Sequence, residues 1–140
     1  MEKETKYEIR YVKKKDIDFW FSLDKHLSKK EFNQKVKNEQ GYVLSINNQR
    51  IGILRYNLFW DNVPFCTLLY IKQEYQRKGY GKILMNFWEQ EMKEKGYTWL
   101  LVSTLKIETA QHFYRLIGYV DCGYLLAPGQ EKELFLKKNL

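Results

Sequence analysis

One short polar stretch of the chain combines two glycines with three basic side chains, a combination that suits a phosphate group. The stretch reads QRKGYGK over residues 76–82. Gly79 and Gly81 have no Cβ, so a ligand can approach the backbone closely, and a positive φ costs little there. Its positive charges are carried by Arg77, Lys78 and Lys82. The chemistry that these residues predict is a pyrophosphate cradle.

The elements around this stretch must place it at the start of a helix. The preceding apolar run, FCTLLYI from Phe65 to Ile71, predicts a buried strand, and an amphipathic helix follows the glycines and ends near Lys95–Gly96. A strand, a glycine loop and a helix in this order bring unpaired helix N–H groups to the end of a strand. Those N–H groups and the helix dipole both favour an anion.

Two familiar phosphate loops do not fit the stretch. A Walker A loop requires GxxxxGK[ST], but Ile83 follows Lys82, and a dinucleotide fingerprint requires a third glycine where Leu84 stands. The pattern that remains, Q-x-x-G-x-G, resembles the acetyl-CoA loop of the GNAT superfamily of N-acetyltransferases. The flanking segment LYIKQEYQRKGYGKILM is similar to that family's strand, loop and helix in order and spacing. The alternative is an ordinary strand–turn–helix with a glycine-rich turn.

A second segment strengthens the resemblance. ETAQHFYRLIGY places Ala110, Phe113, Tyr114 and Ile117 on one face of a short helix that Gly118 ends. It is similar to the family's last helix, A-x-x-[LF]-Y-x-x-x-G-[FY]. The resemblance implies an α/β fold of the α+β type, acyl-CoA N-acyltransferase-like. Its central sheet is mixed, mostly antiparallel, flanked by helices and splayed between the fourth and fifth strands. We expect residues 1–140 to form one N-acetyltransferase domain.

The remaining elements are predicted from periodicity and turn residues. Ser28, with Glu31 three residues later, predicts a capping box that opens a helix ending at about Asn38. Another helix is predicted over residues 13–27, and turns at Asn47–Gln49 and Asp61–Pro64. The predicted strands beside Phe65–Ile71 are Tyr7–Val12, Gly41–Ile46, Arg50–Phe59, Tyr97–Thr104, Asp121–Ala127 and Leu134–Lys138.

Composition narrows the class of protein. The chain has 140 residues, with eleven Tyr, eight Phe and four Trp, and no apolar run approaches the length of a membrane span. The start, MEKETKYEIR, is charged and has no apolar signal region, so we expect a cytoplasmic protein. Cys66 and Cys122 lie in apolar, strand-like context and are expected to be buried free thiols. No spacing of His26, His112 and the cysteines predicts a metal site.

The formal net charge of +7 allows several kinds of partner. The lysines are spread along the chain, which favours a solvated surface over a nucleic-acid-binding stripe. A basic nucleic-acid-binding module remains an alternative, and its affinity would fall steeply with salt. We expect no nucleic-acid or membrane partner; a homodimer is compatible with the sequence.

The resemblance also implies how acetyl-CoA, the cosubstrate, is held. The backbone of Leu69, Tyr70 and Ile71 would pair with the pantetheine arm, and the Ile71 N–H would stabilise the oxyanion. Tyr114 would donate a proton to the departing thiolate. The pyrophosphate would contact the loop residues Gln76, Arg77, Lys78, Gly79, Tyr80, Gly81 and Lys82.

Two departures from the family pattern bear on catalysis. Many relatives place a glutamate near the end of the strand before the loop, but FCTLLYI has no acid. Asp61 and Glu74 are the nearest acids, and each is better explained as a surface residue. Ile107 stands where relatives often have a cofactor-binding asparagine. A non-catalytic acyl-CoA-binding member of the family is therefore a second alternative.

The acceptor is expected to be a primary amine on a small molecule or a peptide. Tyr56, Phe59 and Trp60 alternate with polar neighbours and are candidates to line its pocket, with Asp61 at the rim. Aromatic rings beside a carboxylate would suit a cationic amine. The equally open interpretation is that half of these rings pack against helices.

Overall fold

The computed structural model describes residues 5–140, so the first four residues of the charged N-terminal stretch lie outside it. Segments in which polar and apolar residues alternate, and short apolar segments, form the strands. Amphipathic segments between them form the helices. The strands are β1 Tyr7–Tyr11, β2 Gly41–Ile46, β3 Gln49–Phe59, β4 Val63–Ile71, β5 Trp99–Leu105, β6 Val120–Leu125 and β7 Glu133–Asn139. The helices are α1 Ile17–Leu23, α2 Lys29–Lys37, α3 Tyr80–Glu94 and α4 Ala110–Leu116, with short 3-10 turns at Lys14–Asp16 and Gln73–Tyr75.

The seven strands have the order β1-β2-β3-β4-β5-β7-β6. β1 with β2, β2 with β3, β5 with β7 and β6 with β7 are antiparallel pairs. β4 and β5 are parallel, with Phe65 in register with Leu101 and Cys66 with Val102. The predicted mixed, mostly antiparallel sheet flanked by helices is therefore confirmed.

The chain divides into two compact units. The first contains the described residues up to Tyr56 together with Leu68–Phe87, and the second contains Asn57–Thr67 and Trp88–Leu140. The core of the first unit includes Trp20 from α1 and Phe32 from α2, whose ring centroids lie 5.9 Å apart. No helix in residues 5–140 combines the length and the apolarity needed to cross a lipid bilayer.

Local signals fix most element boundaries. The Ser28 hydroxyl accepts a hydrogen bond of 3.1 Å from the Glu31 N–H, as the predicted N-cap requires. Asn47 and Asn48 both have positive φ in the turn before β3, and Gly96 has φ +95 after α3. These residue types tolerate the left-handed region, so the chain reverses where they occur.

Three boundary or burial predictions were wrong. The turn before β4 is centred on Trp60 and Asp61, which have φ of 53° and 64°, and β4 begins at Val63. Two successive residues with positive φ match the right-handed twist of the strands that flank a hairpin. The helix expected over residues 13–27 is a 3-10 turn followed by α1. Cys122 is exposed because it lies on β6, one of the two edge strands of the described sheet.

The end of α1 at Leu23 has a specific cause. The buried Asp24 carboxylate accepts hydrogen bonds from the His26 and Leu27 N–H groups, at 3.0 and 3.2 Å. It also accepts from Trp20 Nε1 at 3.1 Å and Arg55 Nε at 2.8 Å. Backbone donors that would continue the helix are used by a side chain instead, so the chain leaves the helix.

Asp16 is a second buried carboxylate, with no exposed surface. Arg10 donates two hydrogen bonds of 2.8 Å to it, and Arg50 and the Lys13 N–H donate at 3.0 and 2.8 Å. Burial by itself would raise the pKa of Asp16, but the hydrogen bonds from Arg10, Lys13 and Arg50 outweigh it. They lower that pKa from 3.8 to about 2.

We expect Asp16→Asn to lower the free energy of unfolding at pH 7 by about 3 kcal/mol, because it leaves Arg10 without its carboxylate. The folded pKa lies below the unfolded one, so the contribution of Asp16 is present above the unfolded pKa. It is lost as pH falls through the folded pKa. Denaturant unfolding should therefore show the difference from wild type shrinking between about pH 4 and pH 2. Asp18→Asn, on the exposed side of α1, is the control, and an equal loss in both variants would contradict the assignment.

Candidate active site

The loop between β4 and α3 combines strained backbone with open space. Gly79 has φ +90 and Arg77 has φ +62, an uncommon conformation for a side chain of that size. A Cβ built on Gly79 would meet no atom within 4 Å. The backbone here is therefore accessible to a ligand. Gly81 is not among the residues with positive φ, because α3 begins at Tyr80 and Gly81 lies in its first turn.

The first turn of α3 is suited to an anion. The Ile83 N–H donates to the Gly79 carbonyl at 3.1 Å, so the N–H groups of Tyr80, Gly81 and Lys82 precede the first bond of the helix. This turn contains no acidic residue. Exposed side chains add the positive charge of Arg77, Lys78 and Lys82. The helix has 15 residues, long enough for its dipole to contribute.

Side chains hold the loop against the strands of the first unit. Gln76 Nε2 donates a 2.8 Å hydrogen bond to the carbonyl of Ile71, the last residue of β4. The Tyr75 hydroxyl donates to Gln49 Oε1 at 3.1 Å, and the rings of Tyr75 and Tyr80 lie 6.2 Å apart. The loop is therefore fixed to the end of the strand that was predicted to pair with the pantetheine arm. Of the strand residues predicted for that role, Ile71 is buried, Leu69 is half-buried and Tyr70 is exposed.

Gly52 supports Ile71 and was missed in the sequence. A Cβ on Gly52 would lie 2.6 Å from Ile71 Cδ1 and 3.3 Å from the Tyr70 carbonyl oxygen. Its place in the middle of a strand was the available signal, since an isolated glycine in a strand often marks a close backbone approach.

Tyr114 lies in the second unit on α4, and only 6% of it is exposed. Its ring contacts those of Phe113 and Tyr119, with centroids 5.4 and 5.8 Å away. Burial raises the pKa of Tyr114 well above 10, and nearby Cys66 and Glu108 raise it further. The phenol therefore stays protonated at neutral pH and can act as a proton donor. His112, on the same helix, is exposed.

A buried carboxylate fixes the end of α4. Glu89 on α3 accepts a 2.8 Å hydrogen bond from the Tyr119 hydroxyl and a 2.9 Å bond from Lys138 Nζ. Lys138 also donates to the Ile117 carbonyl at 2.8 Å. Burial raises the pKa of Tyr119, and the negative charge of Glu89 raises it further. Tyr119 in turn packs on Tyr114, so this network positions the predicted proton donor.

Sequence reasoning did not identify Glu89. It lies four residues after Met85 and three before Met92, both fully buried, so it belongs to the apolar face of α3. An acid on such a face needs a partner, which was the signal available.

The predicted acceptor residues do not share one surface. Tyr56 is buried in the first unit, stacked on Tyr42 with ring centroids 6.3 Å apart. Phe59 and Trp60 line a groove of about 700 Å³ in the second unit, together with Trp99, Phe135 and Lys137. Asp61 and Glu74 are exposed, and Asp61 does not line this groove. The charged side chain in the groove is Lys137, so its electrostatics suit an anionic ligand better than a cation.

Comparison with known proteins agrees with the geometry of the loop and of α4. A family model described as the acetyltransferase (GNAT) family matches residues 8–119. A search of curated proteins by sequence finds no match. Several solved structures share the fold.

One is Ard1 from Thermoplasma volcanium, 14% identical, with 96% of this chain and 97% of that chain covered at a TM-score of 0.85. Another is the ribosomal-protein-S18-alanine N-acetyltransferase from Escherichia coli, 17% identical, with 96% and 94% covered at 0.78. A GNAT family acetyltransferase from Elizabethkingia anophelis with acetyl-CoA bound is 19% identical, with 96% and 98% covered at 0.73.

We expect Tyr119→Phe to lower the free energy of unfolding by roughly 2 kcal/mol, because the buried Glu89 carboxylate loses one of its two side-chain donors. Denaturant unfolding of the purified protein measures this change. Tyr124→Phe is the matched control, because Tyr124 is 61% exposed on β6 and should change stability little. Equal stability of the two variants would show that Tyr119 does not support the network.

Proposed function

The chain belongs to the acetyltransferase (GNAT) family, and we propose that it transfers an acetyl group from acetyl-CoA to a primary amine. The amine would attack the thioester directly while both substrates are bound. The observation that carries this proposal is the open backbone at Gly79, immediately before an acid-free first turn of α3. Binding of acetyl-CoA to the Elizabethkingia protein of the same fold supports the choice of cosubstrate.

The loop residues fit the pyrophosphate of acetyl-CoA. The N–H groups of the first turn of α3 provide donors, and the space beside Gly79 is open. Arg77, Lys78 and Lys82 supply charge that the phosphates would neutralise. Gln76 would act indirectly, since its amide holds the Ile71 carbonyl and so fixes the peptide groups at the end of β4.

Ile71 and Tyr114 are assigned separate steps of the reaction. As the amine attacks, the carbonyl oxygen gains negative charge, and the Ile71 N–H would stabilise it. A C–N bond forms and the C–S bond breaks, which leaves negative charge on sulfur. The Tyr114 hydroxyl would give its proton to that sulfur. The amine would lose its proton to water, because β4 has no acid and both Asp61 and Glu74 are exposed.

The acceptor class remains a small molecule or a peptide that carries a primary amine. Two proteins of the same fold support a peptide or protein acceptor. One is the Escherichia coli enzyme for the alanine of ribosomal protein S18, and the other is Arabidopsis thaliana Naa50 in complex with a bisubstrate analogue. A panel of amines and peptides with acetyl-CoA, read by release of free thiol, would identify the acceptor. Absence of turnover with all of them would favour a non-catalytic acyl-CoA-binding protein.

We expect acetyl-CoA at a hundredfold excess over its dissociation constant to stabilise the wild-type protein by about 2.7 kcal/mol. Gly79→Glu should abolish this effect, because its side chain would occupy the open space and bring negative charge beside phosphate. The control is Gly129→Glu, because Gly129 also has a positive φ, of 74°, and no atom within 4 Å of a Cβ. Both variants carry the same charge change and a similar backbone strain. Thermal unfolding with and without acetyl-CoA separates them, and ligand stabilisation of Gly79→Glu would refute the loop assignment.

We expect Tyr114→Phe to reduce kcat by about 10²- to 10⁴-fold, the usual contribution of a general acid. Phenylalanine keeps the ring contacts with Phe113 and Tyr119, so melting temperature and acetyl-CoA affinity should change little. Measuring kcat, affinity and melting temperature on one preparation distinguishes catalysis from packing. An unchanged kcat at normal stability would mean that solvent protonates the thiolate.

A further inference from the structure

The groove of about 700 Å³ lies on one side of the sheet in the second unit, and none of the described residues that line it belongs to a helix. Leu101 on β5 and Lys137 on β7 line it and lie in register with each other. Alternate residues of a strand face opposite sides, so Lys138 faces the other side, where it binds Glu89 on α3. The sheet therefore separates the groove from the network that positions Tyr114.

A row of aromatic rings extends along the groove from the end of β3 to β7. The ring centroids of Trp60 and Phe59 lie 4.7 Å apart, and those of Phe59 and Phe65 lie 6.2 Å apart. Phe65 and Phe135 continue the row at 5.7 Å. All of these rings except Phe65 line the groove, as does Trp99. Aromatic rings offer large apolar surfaces on which other rings pack, so the row favours a ligand with an apolar, ring-bearing body.

Trp60 combines an unfavourable backbone conformation with an exposed side chain. It is 72% exposed, and its φ of 53° is uncommon for a bulky residue. Glycine, asparagine or aspartate would tolerate the same φ without exposing an indole ring. The turn alone therefore does not account for tryptophan at this position. A ligand that covers the ring would account for it, because strained residues of this kind are concentrated at binding sites.

Lys137 gives the groove its charge. Among residues 5–140 it is the one charged residue that lines the groove. No carboxylate in that range forms a salt bridge with it. Its charge acts on Cys122, which also lines the groove: burial raises the pKa of that thiol, and the positive charge of Lys137 partly offsets the rise. The ammonium group is therefore a cation of the groove that needs an anionic partner.

The acids nearest to Lys137 in the strands do not supply that partner. Asp121 on β6 is paired with Arg115 at 2.8 Å. Glu133 faces the same side of β7, but it is four residues away, roughly 13 Å along the strand, and does not line the groove. Asn139, two residues after Lys137 on the same side, adds an amide that can donate a hydrogen bond. An ammonium and an amide side by side suit a carboxylate.

We propose that this groove binds a small amphipathic anion, in which an apolar, ring-bearing body carries a single carboxylate. The rings of Trp60, Phe59 and Phe135 contact the body. The carboxylate pairs with Lys137 and accepts a hydrogen bond from Asn139. A volume of about 700 Å³ is within the range of small-molecule sites. The site is additional to the acetyl transfer proposed above and does not rest on it.

Three ligands with the same rings test the role of charge. The test ligand is 2-naphthoate, and 2-naphthylmethanol and 2-naphthylmethylammonium are its neutral and cationic counterparts. Wild type should bind 2-naphthoate about 3- to 10-fold more tightly than the alcohol, the effect of one hydrogen bond to an exposed cation. It should bind the ammonium ligand more weakly than either. Equal affinity for all three, or no binding of 2-naphthoate, would overturn the inference.

The tryptophan side chains report where the ligand binds. The chain has four tryptophans, of which Trp60 and Trp99 line the groove, whereas Trp20 and Trp88 are fully buried. In an NMR titration of the 15N-labelled protein, the indole N–H signals of Trp60 and Trp99 should shift with 2-naphthoate. Trp60→Phe assigns one of the two signals. Shifts confined to Trp20 or Trp88 would show that the ligand binds elsewhere.

Reversing the charge of the groove is the sharpest test. Lys137→Glu should bind 2-naphthylmethylammonium more tightly than 2-naphthoate, which inverts the wild-type order. Lys30→Glu is the control, because Lys30 is exposed on α2 and the change in net charge is the same. It should keep the wild-type order. An unchanged order in Lys137→Glu would mean that Lys137 does not contact the ligand, and the inference would be wrong.

The exposed ring is tested in the same way. Trp60→Ala should weaken binding of 2-naphthoate about 3- to 10-fold, the usual contribution of an aromatic contact. Leu116→Ala is the control, because Leu116 is an 86% exposed apolar residue on α4 and does not line the groove. Thermal unfolding of each variant checks that the fold is kept. Equal affinities of these two variants for 2-naphthoate would contradict the role of Trp60.

Two other occupants of the groove would also overturn the inference. If acetyl-CoA displaces 2-naphthoate and Lys137→Glu weakens acetyl-CoA binding, the groove belongs to the cosubstrate. If the Trp60 signal of the free protein shifts with protein concentration, a second copy of the chain covers the groove. Binding of 2-naphthoate that is unaffected by acetyl-CoA and by protein concentration is the expected result.

Discussion

A charge that leaves water must be hydrogen-bonded completely, and the described structure depends on how four buried charges meet this requirement. Asp16 connects β1 to β3 through Arg10 and Arg50, and Asp24 connects the end of α1 to β3 through Arg55. Lys35 on α2 donates to the Tyr56 carbonyl at 2.7 Å. Glu89 connects α3 to β7 and to Tyr119. Removing one partner from such a group lowers the free energy of unfolding by more than the hydrogen bond itself contributes. Each buried charge therefore holds the elements that it connects in place.

Elements whose signals are local could be predicted from the sequence. The caps at Ser28 and Gly96 and the turn at Asn47–Asn48 depend on residues within one helical turn or one reversal of the chain. The same holds for the loop before α3, where the Gln76 and Gly79 pattern also supplied the family resemblance. The prediction that Tyr114 shares an apolar helix face agrees with its burial, because helical period alone determines which residues share a face.

Features that depend on distant residues could not be predicted. The partners of Glu89 lie 30 and 49 positions away, and Arg55 is 31 positions from Asp24. No local pattern encodes such pairings. Trp60 shows a second limit, because a bulky aromatic residue is seldom found at a positive φ, whereas Asp61 is of a type that tolerates it. Among the candidate acceptor residues, alternation along β3 did not distinguish Tyr56, which is interior, from Phe59 and Trp60, which line the groove.

The edge strand β6 has a consequence for how the protein behaves in solution. All six of its residues are exposed, and Val120, Tyr124 and Leu125 present apolar surface beside unpaired strand backbone. Such an edge can template pairing between molecules. The net charge of +7 opposes that encounter by mutual repulsion. Repulsion between exposed charges extends over about one Debye length, and this length becomes shorter as salt is added. Colloidal stability of this chain is therefore an ionic-strength-dependent property, and concentrated stocks keep best in low salt.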